Sequence, residues 1–495
     1  MKSSRLSLIA SIVALILGLA LVNANISLSI IEALNFRFDA GLDSFFRISG
    51  FFCFGLTLIC LAFMNLAYLP FLKLNIRQKA GWAVFILLAF FSSLLVLTKQ
   101  SVPIYDDYTG IFNFICHFLN SNTFSEKIGL FLDPYFECRI PVAYLLVLLY
   151  SFLPGETIHL NLMIVVNALV LLLIASLLFN TLKNRKEIRP YFPWILLFLF
   201  HSEFMQSSFS PLSGICYNGS ILFSVLALRS MSIEHSKGMY RAILFGLLAI
   251  YTFGNGLLIV PLLLIFSSRK FGWKKTIFPF ALLLFFSLLY FINYHPQSQT
   301  ASVFDLKYFL LFVPVFLGSA FQFFYSAYLP FLIGILIITL YIYASFSGYE
   351  KKNPVLYYSL GFIILTAMLT AGFRTTESFE IALKLRYGVF SSFAILGSLF
   401  MAMEMFSERL SEKLLILISG TAIVYNLMTA QFFYPESVLT IVHNKEMLER
   451  WQSTGEFEEI SPYYPSGIKP VLECSYSLSL WKNKEELSIR LKDPD

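Results

Sequence analysis

Two adjacent carboxylates, Asp106 and Asp107, stand between two tyrosines in a chain that is otherwise rich in apolar residues. The chain is 57% hydrophobic and only 13% charged, whereas soluble domains are about 25% charged. A carboxyl group in a partly desolvated pocket has a raised pKa and can take a proton from a hydroxyl group. The pair is therefore a candidate general base. The alternatives are a helix-end cap or ordinary loop acids.

A second polar group lies later in the same loop, in the run Glu137-Cys138-Arg139-Ile140-Pro141. In an extended segment, Glu137 and Arg139 would point to the same side. Glu137 would then accept hydrogen bonds from hydroxyl groups, and Arg139 would pair with an acid or a phosphate. A surface ion pair between the two is the alternative.

Apolar runs of a length that suits the hydrocarbon core of a membrane recur along the chain. They lie at 6–31, 50–72, 82–98, 159–181, 191–205, 215–229, 241–252, 254–267, 277–293, 326–347, 355–372, 387–405 and 413–431. The sequence therefore predicts an all-α polytopic integral membrane protein with about 11–13 transmembrane helices.

Lysine and arginine residues fill short loops on one side of these spans, for example at 73–79, 183–189 and 269–275. The positive-inside rule assigns these loops to the cytoplasm. Five polar segments then face outward: 99–158, 206–214, 294–325, 373–386 and 432–495. The apolar stretch 142–152 is too short to cross and would reverse this arrangement, so we expect an outer interfacial helix that ends at Pro154-Gly155.

The chain divides into two leading helices (1–81), a core (82–431) and an outward C-terminal extension (432–495). Gly254 and Gly256 predict a tight hairpin or re-entrant pair between two short core spans. Alternating residues at 474–481 predict some strand, and hence a small α+β extension that docks on the core.

Cys116 and Cys138 lie in the outward loop 99–158. A disulfide between them and two free thiols are both open at this stage.

The order of these features resembles that of the polyprenyl-phosphate-dependent glycosyltransferases of the GT-C fold. The matching features are the span 85–97, the acid pair, the motif 137–141, the interfacial stretch, the span 160–179 and Lys183. Within that superfamily the chain looks most like the serotype-converting O-antigen glucosyltransferases and their bacterial relatives. The stretch 252–256 and Arg386-Tyr387 look like features of that group. The resemblance covers about residues 82–430 as a topology with short motifs.

The resemblance implies a bacterial inner-membrane enzyme whose active site faces the periplasm. It would move a sugar, expected to be glucose, from a polyprenyl phosphate such as undecaprenyl phosphate to a surface polysaccharide such as O-antigen, a lipopolysaccharide modification. An aspartate, with Asp107 favoured over Asp106, would act as the base, and Glu137 would complete the catalytic group. No cofactor and no nucleic acid partner are expected. A divalent metal held by these acids is the alternative.

Further residues are candidates for substrate binding. Arg374 and Arg386, with Lys384 behind them, would hold the lipid phosphate, and Arg386-Tyr387 opens a span whose free amides favour an anion. The alternative is that Arg386 reaches to lipid headgroups. Three polar groups within or beside apolar spans would line the cavity or cap an interface: His201, Glu203 and Asn218.

Asn255 would satisfy the broken backbone of the hairpin or bind a sugar. Two other functions compete with glycosyl transfer as a whole: a lipid-linked oligosaccharide transporter or flippase, and an O-antigen polymerase.

Overall fold

The computed structural model describes the following stretches and single positions of the chain, all beyond residue 105. They are 106–152, 158, 160–183, 185–201, 210–233, 236–292, 294, 305–323, 326–374, 378–407, 414–429, a few positions at 433–451, and 468–477. The two leading helices, the span 82–98, Pro154-Gly155 and Glu203 lie outside the described residues. Every regular element in the described part is helical.

Six helices in the described part are long and apolar enough to cross a membrane. They are Leu162–Phe179, Pro211–Ser232, Gly254–Phe271, Tyr328–Phe346, Pro354–Arg374 and Leu385–Met405. Three shorter apolar helices accompany them: Pro141–Ser151, Leu306–Phe321 and Leu414–Thr429. The prediction of a polytopic helical membrane protein is therefore confirmed.

The helix Pro211–Ser232, here called the central helix, organises the bundle. It packs against Leu160–Phe179, Ser236–Ile250 and Pro354–Arg374. Its first turn carries Pro211, whose missing amide hydrogen costs nothing at a helix start. At the other end, the Lys270 ammonium donates to the carbonyls of Met231, Ser232 and Ile233, so it closes the helix C-terminus.

Three acids and three lysines lie at opposite ends of these helices, each group with a charge of the other sign beside it. Asp106, Asp107 and Glu137 collect at what we call the acidic end, where the central helix begins. Lys183, Lys270 and Lys352 collect at the basic end, where the central helix and the helix Gly388–Met405 finish. Acids and lysines at opposite ends of the bundle are the distribution that the charge pattern predicts.

The predicted hairpin is present. Ser236–Ile250 and Ile259–Phe271 are joined through residues 251–253 and a 3₁₀ turn at Gly254–Leu258. A Cβ atom on Gly256 would lie 2.0 Å from the carbonyl oxygen of Ala249. Glycine is therefore required where the two arms of the hairpin meet.

The span predicted at 191–205 is not one helix in its described part. Residues 189–198 form successive short turns, Arg189–Tyr191, Phe192–Ile195 and Leu196–Phe198. Pro190 and Pro193 remove amide donors and break the regular hydrogen-bond ladder. The segment is largely buried, and residues 195–200 are all buried.

The stretch 294–325, predicted as an outward loop, contains an apolar helix, Leu306–Gly318, whose second half is buried. It packs closely on Tyr328–Phe346. A Cβ atom on Gly318 would lie 2.0 Å from the Pro330 carbonyl oxygen, and one on Gly334 would lie 1.9 Å from that of Pro314. Small residues allow such close backbone contact between membrane helices, so residues 306–318 belong to the core.

The stretch predicted to lie at the interface forms a short apolar helix, Pro141–Ser151, with Ala143 and Val147 buried against the bundle and Leu145 and Leu149 exposed. In the C-terminal extension, the predicted strand is wrong over its described part. Residues Ile468–Ser477, here called the tail helix, are α-helical. Burial of Val471, Leu472 and Ser475 follows a helical spacing that local alternation conceals.

Candidate active site at the acidic end

The two aspartates begin a helical segment, 106–120, which we call the acid helix. A π-helical turn, Tyr108–Phe112, follows the aspartates directly and runs into the α-helix Asn113–Asn120. The sequence placed these acids in a loop, and the structure corrects that position. Single π-helical turns are rare and occur frequently at functional sites.

Asp107 is buried, with 1% of its surface exposed. Its carboxylate accepts a hydrogen bond from the Leu212 amide at 3.3 Å and lies 3.5 Å from the Ser210 hydroxyl. Asp107 therefore caps the N-terminus of the central helix, where a negative charge also complements the helix dipole. The helix-cap alternative holds for this residue, although the capped helix is distant in sequence.

Asp106 is only partly buried, and its Oδ2 atom accepts from the Ser213 hydroxyl at 3.3 Å. Tyr135 lies beside it, with its hydroxyl 3.4 Å from the Asp106 carbonyl oxygen and 2.9 Å from the Thr109 hydroxyl. Burial first, and then the charge of Asp106, raises the pKa of Tyr135. Tyr135 is therefore a neutral phenol that can donate a hydrogen bond.

Glu137 and Arg139 do not point to the same side, contrary to the sequence prediction. Tyr135 and Cys138 pair their backbones across a tight turn, with Phe136 at φ 50°. The turn removes the extended geometry on which the prediction rested. Glu137 faces outward, whereas Arg139 is 5% exposed.

Arg139 is held from the end of the helix Trp273–Leu289. Its amide donates to the Tyr290 hydroxyl at 2.8 Å, and its guanidinium donates to the Ile292 carbonyl. The buried Nε atom has no hydrogen-bond partner. Arg139 forms no ion pair with another described residue.

Arg374, and not Arg139, is the partner of Glu137. The two side chains form an ion pair at 3.4 Å, both partly exposed. The Tyr294 hydroxyl also donates to the Glu137 carbonyl at 2.5 Å. The structure thus joins an acid of the first outer loop to an arginine that the sequence assigned to phosphate binding.

Cys138 lies between these groups. An added Cβ on Gly254 would be 2.8 Å from its sulfur, so the hairpin turn presses directly on the thiol. Burial raises the pKa of the Cys138 thiol to about 11. The Gly254 amide and Arg374 lower that pKa, and Glu137 raises it. Both charges of the ion pair therefore affect the pKa of the thiol.

The second predicted phosphate ligand, Arg386, is exposed and lies in the 3₁₀ turn before the helix Gly388–Met405. Its neighbour Tyr387 packs on Phe316, with ring centroids 5.0 Å apart. Tyr217 of the central helix lies within electrostatic range of both Asp106 and Arg386. Arg386 therefore lies at the acidic end of the bundle.

The other predicted site residues make mainly structural contacts. His201 is fully buried between the hydroxyls of Ser392 (3.2 Å) and Tyr425 (3.1 Å). Asn218 is fully buried within the central helix. Asn255 links helices through its side chain, accepting from Ser220 at 2.6 Å and donating to Thr366 at 3.4 Å. Its predicted role at the broken backbone is therefore replaced by side-chain bonds.

Cys116 forms a disulfide with Cys474 of the tail helix, 358 residues later, and Cys138 is a free thiol. A Cys116–Cys138 disulfide, one of the two alternatives that the sequence left open, is therefore excluded. The prediction of two free thiols holds only for Cys138. The sequence contains no spacing that links residue 116 to residue 474, because their proximity depends on the whole bundle.

Sequence reasoning also missed Ser210, Ser213 and Tyr135. Ser210-Pro211 is a helix-start pattern that could have located the partners of the aspartates. Tyr135 carries no such signal. Within the described residues, no group of three or more His, Cys, Asp or Glu is arranged to hold a metal ion.

Comparisons with protein-family models, with curated proteins and with solved structures gave no match.

Proposed function

We propose that this chain is an inner-membrane glycosyltransferase that takes a sugar from a polyprenyl phosphate and transfers it to a surface glycan on the outer face. The observation that supports the proposal is the composition of the acidic end. A partly exposed carboxylate, Asp106, lies on the same end of an apolar helical bundle as Arg374 and Arg386. A base and cations are the two groups that this reaction requires.

In the proposed reaction, the acceptor hydroxyl oxygen attacks the anomeric carbon while the bond from that carbon to the phosphate oxygen breaks. The hydroxyl proton passes to Asp106, and the electron pair leaves with the lipid phosphate. Arg374 and Arg386 stabilise the developing phosphate charge. Attack opposite the leaving group gives inversion.

The contacts favour Asp106 over Asp107 as the base. Asp107 is buried and its carboxylate is already used by the Leu212 amide. A carboxylate engaged by donors that favour its charged form is a poorer proton acceptor. Asp106 combines exposure with a single described partner on its carboxylate, the Ser213 hydroxyl. In this proposal Asp107 caps the central helix, and Asp106 is the general base.

The described core offers less support for a transporter or flippase. Its buried carboxylates and guanidinium, Asp107, Arg139 and Glu404, lie at the two ends of the bundle. Transporters place ionisable groups near the bilayer midplane along a substrate path. An O-antigen polymerase is disfavoured because the outer loop begins with acids and not with arginines.

The test uses the full chain in proteoliposomes with undecaprenyl-phosphate-glucose as donor and membranes bearing surface glycan as acceptor. Asp106→Asn is expected to lower the transfer rate about 100-fold or more, the usual contribution of a general base. Asp133→Asn, which removes an exposed carboxylate from the same loop, is the matched control and should retain activity.

Full activity in Asp106→Asn, Asp107→Asn and the double variant would exclude the acids as the base. The same assay with EDTA, Mg²⁺ or Mn²⁺ measures metal dependence. Mass spectrometry of surface glycans after deletion and expression of the gene identifies the sugar. An unchanged glycan in both strains would contradict the proposal.

A further inference from the structure

The tail helix is bound to the acid helix more extensively than to any other described helix. Its main contacts with described elements are with Tyr108–Phe112 and Asn113–Asn120. Val471, Leu472 and Ser475 are buried. Residues 468–477 therefore lie on the segment that presents the aspartates.

The disulfide between Cys116 and Cys474 fixes this contact covalently, with the two Cα atoms 6.2 Å apart. Two weaker polar contacts lie beside the disulfide. Asn120 Nδ2 is 3.7 Å from the Cys474 sulfur, and the Ser475 hydroxyl is 3.7 Å from the Cys116 sulfur. Cys116 is three turns of helix beyond Asp106 at most. A movement of one end of this short helix would therefore move the other.

The acid helix is thus held at two points that face different partners. Asp107 fixes its start to the central helix, and Cys116 fixes its later part to the tail helix. Asp106 lies directly beside the first fixed point. Catalytic groups need placement to within about 0.5 Å, which requires support from elements that do not touch the substrate.

We infer that Cys116, Cys474 and the tail helix are positioning elements that hold Asp106 in place, so that the site at the acidic end is complete only after the C-terminal extension has been oxidised onto it. The kinetic part of this inference rests on the proposed function. Closure converts two thiols into one disulfide, and an extracytoplasmic disulfide oxidant accepts the two electrons and two protons to become a dithiol. Because Cys474 follows the bundle helices in the sequence, closure comes after their synthesis.

The first experiment maps the bond without any assay of transfer. Non-reducing proteolysis and mass spectrometry of the full chain from membranes should yield a peptide pair joined through Cys116 and Cys474. Hydrogen exchange over 106–120 should be faster in Cys474→Ser than in the wild type, whereas Cys60→Ser controls for loss of a thiol. Absence of the joined pair, or unchanged exchange, would overturn the inference even if the proposed function is correct.

The second experiment measures the kinetic consequence. Cys116→Ser, Cys474→Ser and the double variant should each lower kcat by about 10- to 100-fold, and by similar amounts because each removes the same bond. KM for undecaprenyl-phosphate-glucose should change by less than about twofold. Lower thermal stability with an unchanged kcat would mean a purely structural bond and would refute the inference.

If the variants fail to fold, the same test uses the folded wild type. A membrane-impermeant phosphine reduces the disulfide, and reoxidation restores it. Activity should fall and then return. Suppose that the protein transfers no sugar under any condition but that hydrogen exchange over 106–120 is faster after reduction. The proposed function would then be wrong, and the positioning role of the disulfide would still hold.

Discussion

The two ends of the bundle use similar residues in opposite ways. At the basic end, Glu404 is 1% exposed and its carboxylate accepts from the Lys183 amide, the Tyr349 hydroxyl and the Asn353 amide at 2.9, 2.5 and 2.7 Å. Lys352 donates to the Glu404 carbonyl at 2.7 Å. We call this network the clasp. At the acidic end, Asp107 is also buried and hydrogen-bonded. In contrast, Asp106, Glu137 and Arg374 are partly exposed, and the buried Arg139 has no ion pair among the described residues.

The difference separates structural polar groups from candidate functional ones. Every donor in the clasp is matched by an oxygen, so a buried charge there stabilises the joint between helices. Glu137 and Arg374 instead meet at 3.4 Å near solvent, and Arg139 is buried with an unpaired Nε atom. Buried donors without hydrogen-bond partners destabilise the folded protein, and they are typical of sites that bind a ligand.

The largest expected effect is loss of the clasp. Glu404→Ala leaves the Tyr349 hydroxyl, the Asn353 amide and the Lys183 amide without their acceptor, at about 1–3 kcal/mol each. We expect the free energy of unfolding to fall by at least about 3 kcal/mol, or the protein to be lost from membranes. Thermal unfolding in detergent measures this change. Glu404→Gln, which keeps the volume and one acceptor, should be milder, and an unchanged Tm in Glu404→Ala would contradict the role of the clasp.

Arg139→Met tests the opposite case. Removal of a buried guanidinium that has no ion pair among the described residues relieves a desolvation cost, which offsets the lost hydrogen bond to the Ile292 carbonyl. We expect the free energy of unfolding to change by less than about 1 kcal/mol. The transfer rate should fall about tenfold or more if Arg139 helps to hold an anionic substrate. Arg139→Lys, which retains only a point charge, is the control, and a large loss of stability in Arg139→Met would show a structural arginine.

The exposed pair should contribute still less to stability. Side chains of Arg374 and Glu137 are 32% and 44% exposed, respectively, and exposed ion pairs contribute about 0–1 kcal/mol. We expect Glu137→Gln to leave Tm within about 2 °C of the wild type, whereas Arg374→Gln should raise KM for the donor. Equal and large losses of stability in both variants would make the pair a second clasp.

The sequence predicted the membrane class and most long helices because their apolar runs match bilayer thickness. It also predicted that Arg374 lies on the same end as the acids, since that depends only on counting crossings. It could not predict that Glu137 meets Arg374, that Asp107 caps a helix beginning at residue 211, or that Cys116 pairs with Cys474. These contacts depend on how distant helices pack. Glu404 stood within an apolar run, a signal of a special polar group that the sequence reading did not use.

Cys138 gives the smallest expected effect and the most local measurement of the comparison. Thiolate is the reactive form, so a pKa of about 11 leaves about 0.1% thiolate at pH 8, against roughly a quarter for an ordinary cysteine. Alkylation of Cys138, followed by mass spectrometry, should be slow at pH 8 and rise about tenfold for each pH unit up to about pH 10.

Glu137→Gln should lower the thiol pKa and speed labelling, and Arg374→Gln should raise the pKa and slow it, because the two charges act on the thiol with opposite signs. Glu404→Gln, at the other end of the bundle, should leave the labelling rate unchanged. Equal rates in the Glu137 and Arg374 variants would mean that the ion pair does not lie beside the thiol, and the acidic end would then lack the joint between its first outer loop and Arg374.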